Sequence, residues 1–164
     1  SDAVTSGLEF ELRGRASDLM PQLMGNAKAL NIRSSLSFYR SSIAALPGPN
    51  NRLDGQQPWS ANLGFDQRIS GLPLSVGGNL SITPGYDTRQ TTEQYFKRSS
   101  TKGIDLFAMM PLSPSMSIRA AASAGVQQFG PPNGSTQTLM SNGDYILTDR
   151  YAKPQLNITL DMRL

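Results

Sequence analysis

Seven stretches of this chain alternate apolar and polar residues with a period of two, and that rhythm most limits what it can fold into. In Leu8-Glu9-Phe10-Glu11-Leu12-Arg13-Gly14-Arg15-Ala16, Leu8, Phe10, Leu12 and Ala16 fall on one phase and Glu9, Glu11, Arg13 and Arg15 on the other. Successive side chains of a strand point to opposite faces, so this is the pattern of a half-buried strand. The same phase relation returns at Leu30, Ile32, Leu36 and Phe38, at Ala61, Leu63, Phe65 and Ile69, and at Leu72, Leu74, Val76, Leu80 and Ile82. It returns again at Ile104 to Leu112 (with Phe107 and Met109 as apolar exceptions on the polar phase), at Met116 to Val126, and at Leu156 to Leu164. The expected strands are 6–17, 28–42, 59–70, 72–84, 102–112, 115–129 and 151–164, and the fold class is all-β.

Other architectures fit poorly. Fifteen glycines and eleven prolines interrupt most runs long enough for a helix. No stretch of 18 apolar residues could span a bilayer as a helix, and the N-terminus lacks the basic-then-apolar pattern of a signal peptide. With no cysteine and no histidine, a disulfide framework, a thiolate zinc site, a cysteine nucleophile and a Ser-His-Asp triad are excluded. Charged residues make up 16% of the chain, against about 25% in an average soluble domain, yet the hydrophobic fraction is only 38%. Small polar residues and glycine fill the difference. That suits an antiparallel transmembrane β-barrel, whose wall has one apolar face and one weakly charged polar face.

The connections alternate in length. A turn near Pro21 to Asn26, a tight turn at Ser70-Gly71 and another at Ser113-Pro114-Ser115 alternate with long segments at 43–58, 85–101 and 130–150. Outer-membrane barrels place short turns on the periplasmic side and long loops outside. Phe38, Trp59, Tyr86, Phe129 and Tyr151 lie where strands meet long loops, where an aromatic girdle is expected. Within 130–150, Thr138 to Leu147 carries an Asn142-Gly143 turn signal for an extra hairpin.

On this reading the polar phase lines a lumen. Its charges are Glu9, Glu11, Asp66, Asp105 and Asp161 against Arg13, Arg15, Arg33, Arg68, Arg119 and Arg163, expected to pair across the confined interior. Glu9 and Glu11 lie about 6–7 Å apart along a strand. That spacing can serve glycoside hydrolysis, but flanking arginines favour ion pairs, and no catalytic residue is expected. No cofactor or metal site is expected either. Arg89, Tyr95, Phe96, Lys97 and Arg98 in the segment 85–101 mix cations with aromatic rings, a combination that suits nucleic acid, anionic lipopolysaccharide or an anionic ligand, and are candidate ligand contacts on an otherwise solvated loop; no nucleic-acid partner is expected. Leu74→Arg is expected to disrupt a lipid-facing strand while Asn79→Arg is tolerated.

Three segments carry a family resemblance. Ser6-Gly7-Leu8-Glu9-Phe10-Glu11-Leu12-Arg13 resembles a late barrel strand of TonB-dependent outer-membrane receptors. Leu53 to Asp66, with Gly55-Gln56-Gln57-Pro58 before the strand, resembles a loop-to-strand junction of that family, and Leu156 to Leu164 resembles its alternating last strand. The resemblance spans nearly the whole chain but only the last third or so of the family's 22-stranded barrel. It implies a segment of an outer-membrane receptor that takes up a scarce ligand such as a ferric chelate. The implied partners are outer-membrane lipid, the barrel-assembly machinery, the remaining barrel strands, and a plug that contacts the energy-coupling protein. The chain departs from the family in ending on Leu164 where an aromatic is usual, and in lacking the plug. An odd count of seven strands fits an arc of a larger barrel rather than a complete one. A self-standing small outer-membrane barrel with a structural or adhesive role, and a soluble lipocalin-like ligand-binding barrel, are the alternative expectations.

Overall fold

The computed structural model describes residues 2–26, 28–125, 134–150 and 153–162. Among the described residues there are eleven strands: β1 (Ala3–Arg15), β2 (Leu30–Ile43), β3 (Trp59–Arg68), β4 (Ser75–Thr83), β5 (Tyr86–Arg89), β6 (Gln94–Arg98), β7 (Thr101–Ser113), β8 (Met116–Gly125), β9 (Gly134–Met140), β10 (Tyr145–Arg150) and β11 (Gln155–Met162). Two four-residue helices, α1 (Ala16–Leu19) and α2 (Pro21–Met24), fill the first turn. Among the described residues, no helix is long and apolar enough to cross a membrane.

The strands form two antiparallel sheets. The larger has the order β1-β2-β3-β4-β7-β8-β11 and the smaller β10-β9-β6-β5. The seven alternating segments thus occupy one sheet in chain order, each beside the next. Among the described residues β1 and β11 are its free edges, and no barrel closes.

Register keeps the phases together. Phe10 lies opposite Leu36, Leu36 opposite Ala61, and Ala61 opposite Ile82. Further along, Leu63 faces Leu80, Leu80 faces Ile104 and Ile104 faces Ala124. Ile158 and Leu160 of β11 continue the same face against Ala120 and Ile118. A slip of one residue at any pairing would send a whole strand's apolar set to the other side; none of the six pairings slips. Among the described residues the one irregularity in these pairings is a bulge between Pro111 and Ser113, at the end of β7.

Glycine pairs with bulk where a side chain intrudes. Gly77 lies opposite Phe107, and a Cβ on Gly77 would sit 2.5 Å from that ring and 2.7 Å from the Phe65 carbonyl oxygen. Phe107, an apolar exception on the polar phase, is therefore accommodated by an absent side chain. On the other face Gly78 makes room for Leu106 and Phe65.

The short turns share one end of the large sheet. At 69–74 the Leu72 N–H donates to the Ile69 carbonyl (3.4 Å) and Gly71 has φ +79°, the left-handed conformation that a type II turn requires at its third position. Leu74 belongs to this turn, and its carbonyl accepts from the Ile69 N–H at 2.9 Å. It is thus not the mid-strand residue that the alternation suggests, and Leu63, at the middle of β3, is a sounder probe of that face.

The long connections differ from expectation. The segments 85–101 and 130–150 are not bare loops: β5 and β6 form in the first and β9 and β10 in the second, and β6 pairs with β9 to join them. β5 and β6 are too short to show a period; β5–β6 and β9–β10 are local hairpins, and the β6–β9 pairing joins distant parts of the chain. The hairpin expected around Asn142-Gly143 is present. Its three-residue loop closes with the Gly143 N–H on the Met140 carbonyl (3.1 Å), and Gly143 has φ +92°. Residues 126–129, 130–133, 151–152 and 163–164 of the expected elements lie outside the described residues.

Candidate functional surfaces

The large sheet has almost no core of its own. Among the described residues the buried hydrophobic side chains are Ala16 and Tyr86. Edge strands alone do not explain this. Leu63 in β3 and Leu106 in β7, each flanked by strands on both sides, remain 52% and 51% exposed. Their face runs unbroken across seven strands, whereas a soluble monomer rarely leaves an apolar patch above a few hundred Å² uncovered. A shallow apolar groove of about 580 Å³ lies on it, lined by Phe10, Leu12, Leu36, Leu63, Leu80 and Ile82 among others. Its two basic residues, Arg40 opposite Ser6 and Lys102 opposite Ile82, both lie toward the long connections. Phe38 and Trp59 face each other at that same end. Of the other aromatics expected in a girdle, Tyr86 is instead buried in β5 at 6% exposure, packed at 6.5 Å on Phe96. Phe129 and Tyr151 lie outside the described residues.

The opposite face carries the expected charged residues. Strand parity puts Glu9, Glu11, Arg13 and Arg15 of β1, Arg33 of β2, Asp66 and Arg68 of β3, Asp105 of β7, Arg119 of β8 and Asp161 of β11 on it together. Arg163 lies outside the described residues. The charge pairing is sparser than the alternation of signs suggests. Among the described residues the ion pair is Arg13–Glu11, at 2.5 Å, between side chains 69% and 52% exposed. Such a surface pair contributes about 0–1 kcal/mol in water. The reason is register: Arg33 lies opposite Arg13 and Gly64, and Asp105 opposite Asn79 and Ser123, so neighbouring strands do not present opposite charges to each other.

Toward the short turns this face holds an open groove of about 830 Å³. Its lining includes Arg15, Lys28, Arg33, Arg68 and Arg119 against Asp66. Asp66 accepts a hydrogen bond from Asn31 Nδ2 at 3.1 Å, and the Arg119 guanidinium stacks over Phe107 at 5.2 Å. The groove is therefore strongly cationic.

At the other end, residues 44–58 are ordered along β5, the edge of the small sheet. The Arg89 N–H donates to the Asn50 carbonyl (2.8 Å), and Gln90 Nε2 donates to Asp54 Oδ2 (3.2 Å). The Arg89 guanidinium donates to the carbonyls of Pro47 (3.0 Å) and Thr92 (3.3 Å) and covers the Tyr95 ring at 4.7 Å. The other end of the connection is anchored to the large sheet: Ser41 donates to Gln56 Oε1, and Gln56 Nε2 donates to Thr5 Oγ1 (3.1 Å). Asn50 takes the left-handed conformation, φ 68°, that lets this chain turn.

Between this segment and the hairpin is a cleft of about 410 Å³. Of the five sequence-derived ligand contacts, Lys97 and Arg98 line it, whereas Arg89 is engaged in holding the two segments together and Phe96 packs on Tyr86. Asn50, Arg52, Pro58, Gly85, Tyr86 and Asp87 complete it, and none stands in a recognisable motif. The Arg52 Nε and the Tyr86 hydroxyl are buried with no hydrogen-bond partner. Leaving such a group unsatisfied costs about 1–3 kcal/mol. Among the described residues no group of three acidic side chains is placed to hold a metal ion. No family model, curated protein or solved structure matches this chain.

Proposed function

We propose that this chain forms seven adjacent strands in the wall of a bacterial outer-membrane β-barrel of the TonB-dependent receptor type. Its part is structural and receptive rather than catalytic: it supplies barrel wall, lumen lining and external loops for uptake of a scarce ligand such as a ferric chelate. The carrying observation is the half-exposed, register-aligned apolar face, in which interior-strand residues such as Leu63 and Leu106 have no protein cover. Lipid is the solvent such a face suits. The positions of Arg40 and Lys102 support this, since long basic side chains near a membrane boundary reach out to the headgroups. The free edges of β1 and β11 support an arc completed by further strands, because an unpaired edge has no hydrogen-bond partner in hydrocarbon. The partners on this reading are outer-membrane lipid, the barrel-assembly machinery, the remaining strands and a plug. The polar face, with its cationic groove near the short turns, would line the water-filled interior on the periplasmic side.

The test is fractionation of the protein as its gene encodes it. It is expected to sediment with outer membranes, to need detergent for extraction, and to change gel mobility on boiling, as folded barrels do. Recovery of a folded, monodisperse protein from aqueous buffer without detergent contradicts the proposal.

A further inference from the structure

We infer that the first turn of the large sheet, residues 16–26, is an interfacial membrane anchor that carries Leu23 and Met24 into the lipid boundary at the short-turn end. This rests on the barrel reading and adds to it a part of the chain that meets lipid without being a strand. The turn does not cross straight from β1 to β2 but folds back over one face. Gly14, opposite Ile32, is on the apolar phase of β1. A Cβ on Gly14 would meet the Leu19 side chain at 3.1 Å, so Leu19 of α1 is packed on the apolar side of the sheet and not over the charged face. Ala16, the first residue of α1, is fully buried.

What the turn leaves uncovered is apolar. Leu23 is 83% exposed, the highest value for a large hydrophobic side chain among the described residues, and Met24 beside it is exposed as well. From Ala16 to Asn26 the one charged residue is Asp18, whose carboxylate accepts a hydrogen bond from the Ser17 hydroxyl at 3.2 Å. Leu19, Met20, Pro21, Leu23 and Met24 make up half of the remaining positions. A short helical segment of this kind, apolar and nearly uncharged, suits the plane of a bilayer interface, with its apolar side chains ~5–10 Å into the headgroup–acyl boundary.

Depth places the turn at such an interface. Arg40, opposite Ser6, marks the long-connection end of the apolar face on β1 and β2. Ala16 follows Ser6 by ten residues. Ten residues at ~3.3 Å each, tilted ~45° from the membrane normal, cover about 23 Å, close to the ~25 Å height of a barrel's apolar band. With Arg40 at the outer boundary, the turn therefore falls at the inner one. Continuity with the sheet favours lipid over a protein partner as its cover: Leu19 is packed on the apolar face itself, so the solvent that meets that face meets the turn.

The experiment is site-directed spin labelling of the protein as its gene encodes it, reconstituted into phosphatidylcholine vesicles. Residues 1–164 contain no cysteine, so Leu23→Cys, Leu63→Cys and Asn79→Cys each give one labelled position. Leu23 is so exposed that its replacement leaves the packing of the sheet intact. Collision of the nitroxide with oxygen, which concentrates in hydrocarbon, is compared with its collision with a water-soluble nickel chelate. The oxygen-to-chelate ratio at position 23 is expected to lie several-fold above that at position 79 and below that at position 63, as a boundary depth requires. A ratio at position 23 no higher than at position 79, with position 63 high, overturns the anchor and leaves the barrel wall standing. Protection of position 23 from both reagents also overturns it, because protein and not lipid then covers the turn. A low ratio at position 63 removes the barrel reading, and the anchor with it.

Discussion

Leu63→Arg is expected to destabilise the membrane-inserted protein by ~2–4 kcal/mol, the cost of an arginine on the lipid face near mid-membrane. Leu63 stands at the middle of β3, between Ser34 and Leu80, and is 52% exposed. That exposure gives the substitution its discriminating power. If water covered the face, a half-exposed leucine would exchange for arginine at a cost within about 0.5 kcal/mol. Asn79→Arg is the companion. Asn79 lies at the middle of β4 on the opposite face, directly across from Asp105, with Arg33 beyond Gly64 on its other side, so a cation there meets a carboxylate as well as a like charge on an open polar face and should be tolerated. Denaturant unfolding of both variants from lipid vesicles measures the difference. Equal, small effects would remove lipid from the account, and a larger loss for Asn79→Arg would exchange the two faces.

Gly77→Val is expected to cost ~1–3 kcal/mol through overpacking. A Cβ at Gly77 meets the Phe107 ring at 2.5 Å and the Phe65 carbonyl oxygen at 2.7 Å, so both a ring and a neighbouring backbone must move. The Arg119 guanidinium, 5.2 Å from the centre of the Phe107 ring, restricts where that ring can go. Adding Phe107→Ala to Gly77→Val should recover part of the loss, because contacting residues couple in such a cycle. The recovery should be incomplete, since the Phe65 carbonyl stays in place. Thermal unfolding of the two single variants and the double variant measures this coupling. Strict additivity would show that the glycine–phenylalanine pair is not a packing unit.

The large sheet was legible because its information is local and periodic. Leu8, Phe10 and Leu12 specify a face by themselves, and Leu156, Ile158 and Leu160 do so again far along the chain. Neighbouring segments joined by short turns then pair in order. What escaped was either too short to show a period or non-local. Tyr86-Asp87-Thr88-Arg89 is too short to show a period, and its strand exists through pairing with Gln94–Arg98, which in turn pairs with residues beyond 134. Arg52 sits in a Pro- and Asn-rich stretch that reads as loop; only the fold brings it to Tyr86, Lys97 and Arg98. Tyr86 was visible as an aromatic at a strand end, but its burial against Phe96 depends on the small sheet. Pairing of the polar-face charges between neighbouring strands was not legible for a related reason. The signs of the charges can be read from the sequence, but which arginine faces which carboxylate depends on register, and register sets Arg13 opposite Arg33.

The central claim is that the two faces of the large sheet meet different solvents. The sequence contains no cysteine, so single cysteines introduced at Leu63, Leu106, Asn79 and Asp105 report without background. The measurement is their reaction with a charged, membrane-impermeant maleimide in the membrane-embedded protein. Reaction at the Asn79 and Asp105 positions, with protection at the Leu63 and Leu106 positions that detergent denaturation removes, is the expected result. Ready reaction at the Leu63 and Leu106 positions in the folded protein would contradict it.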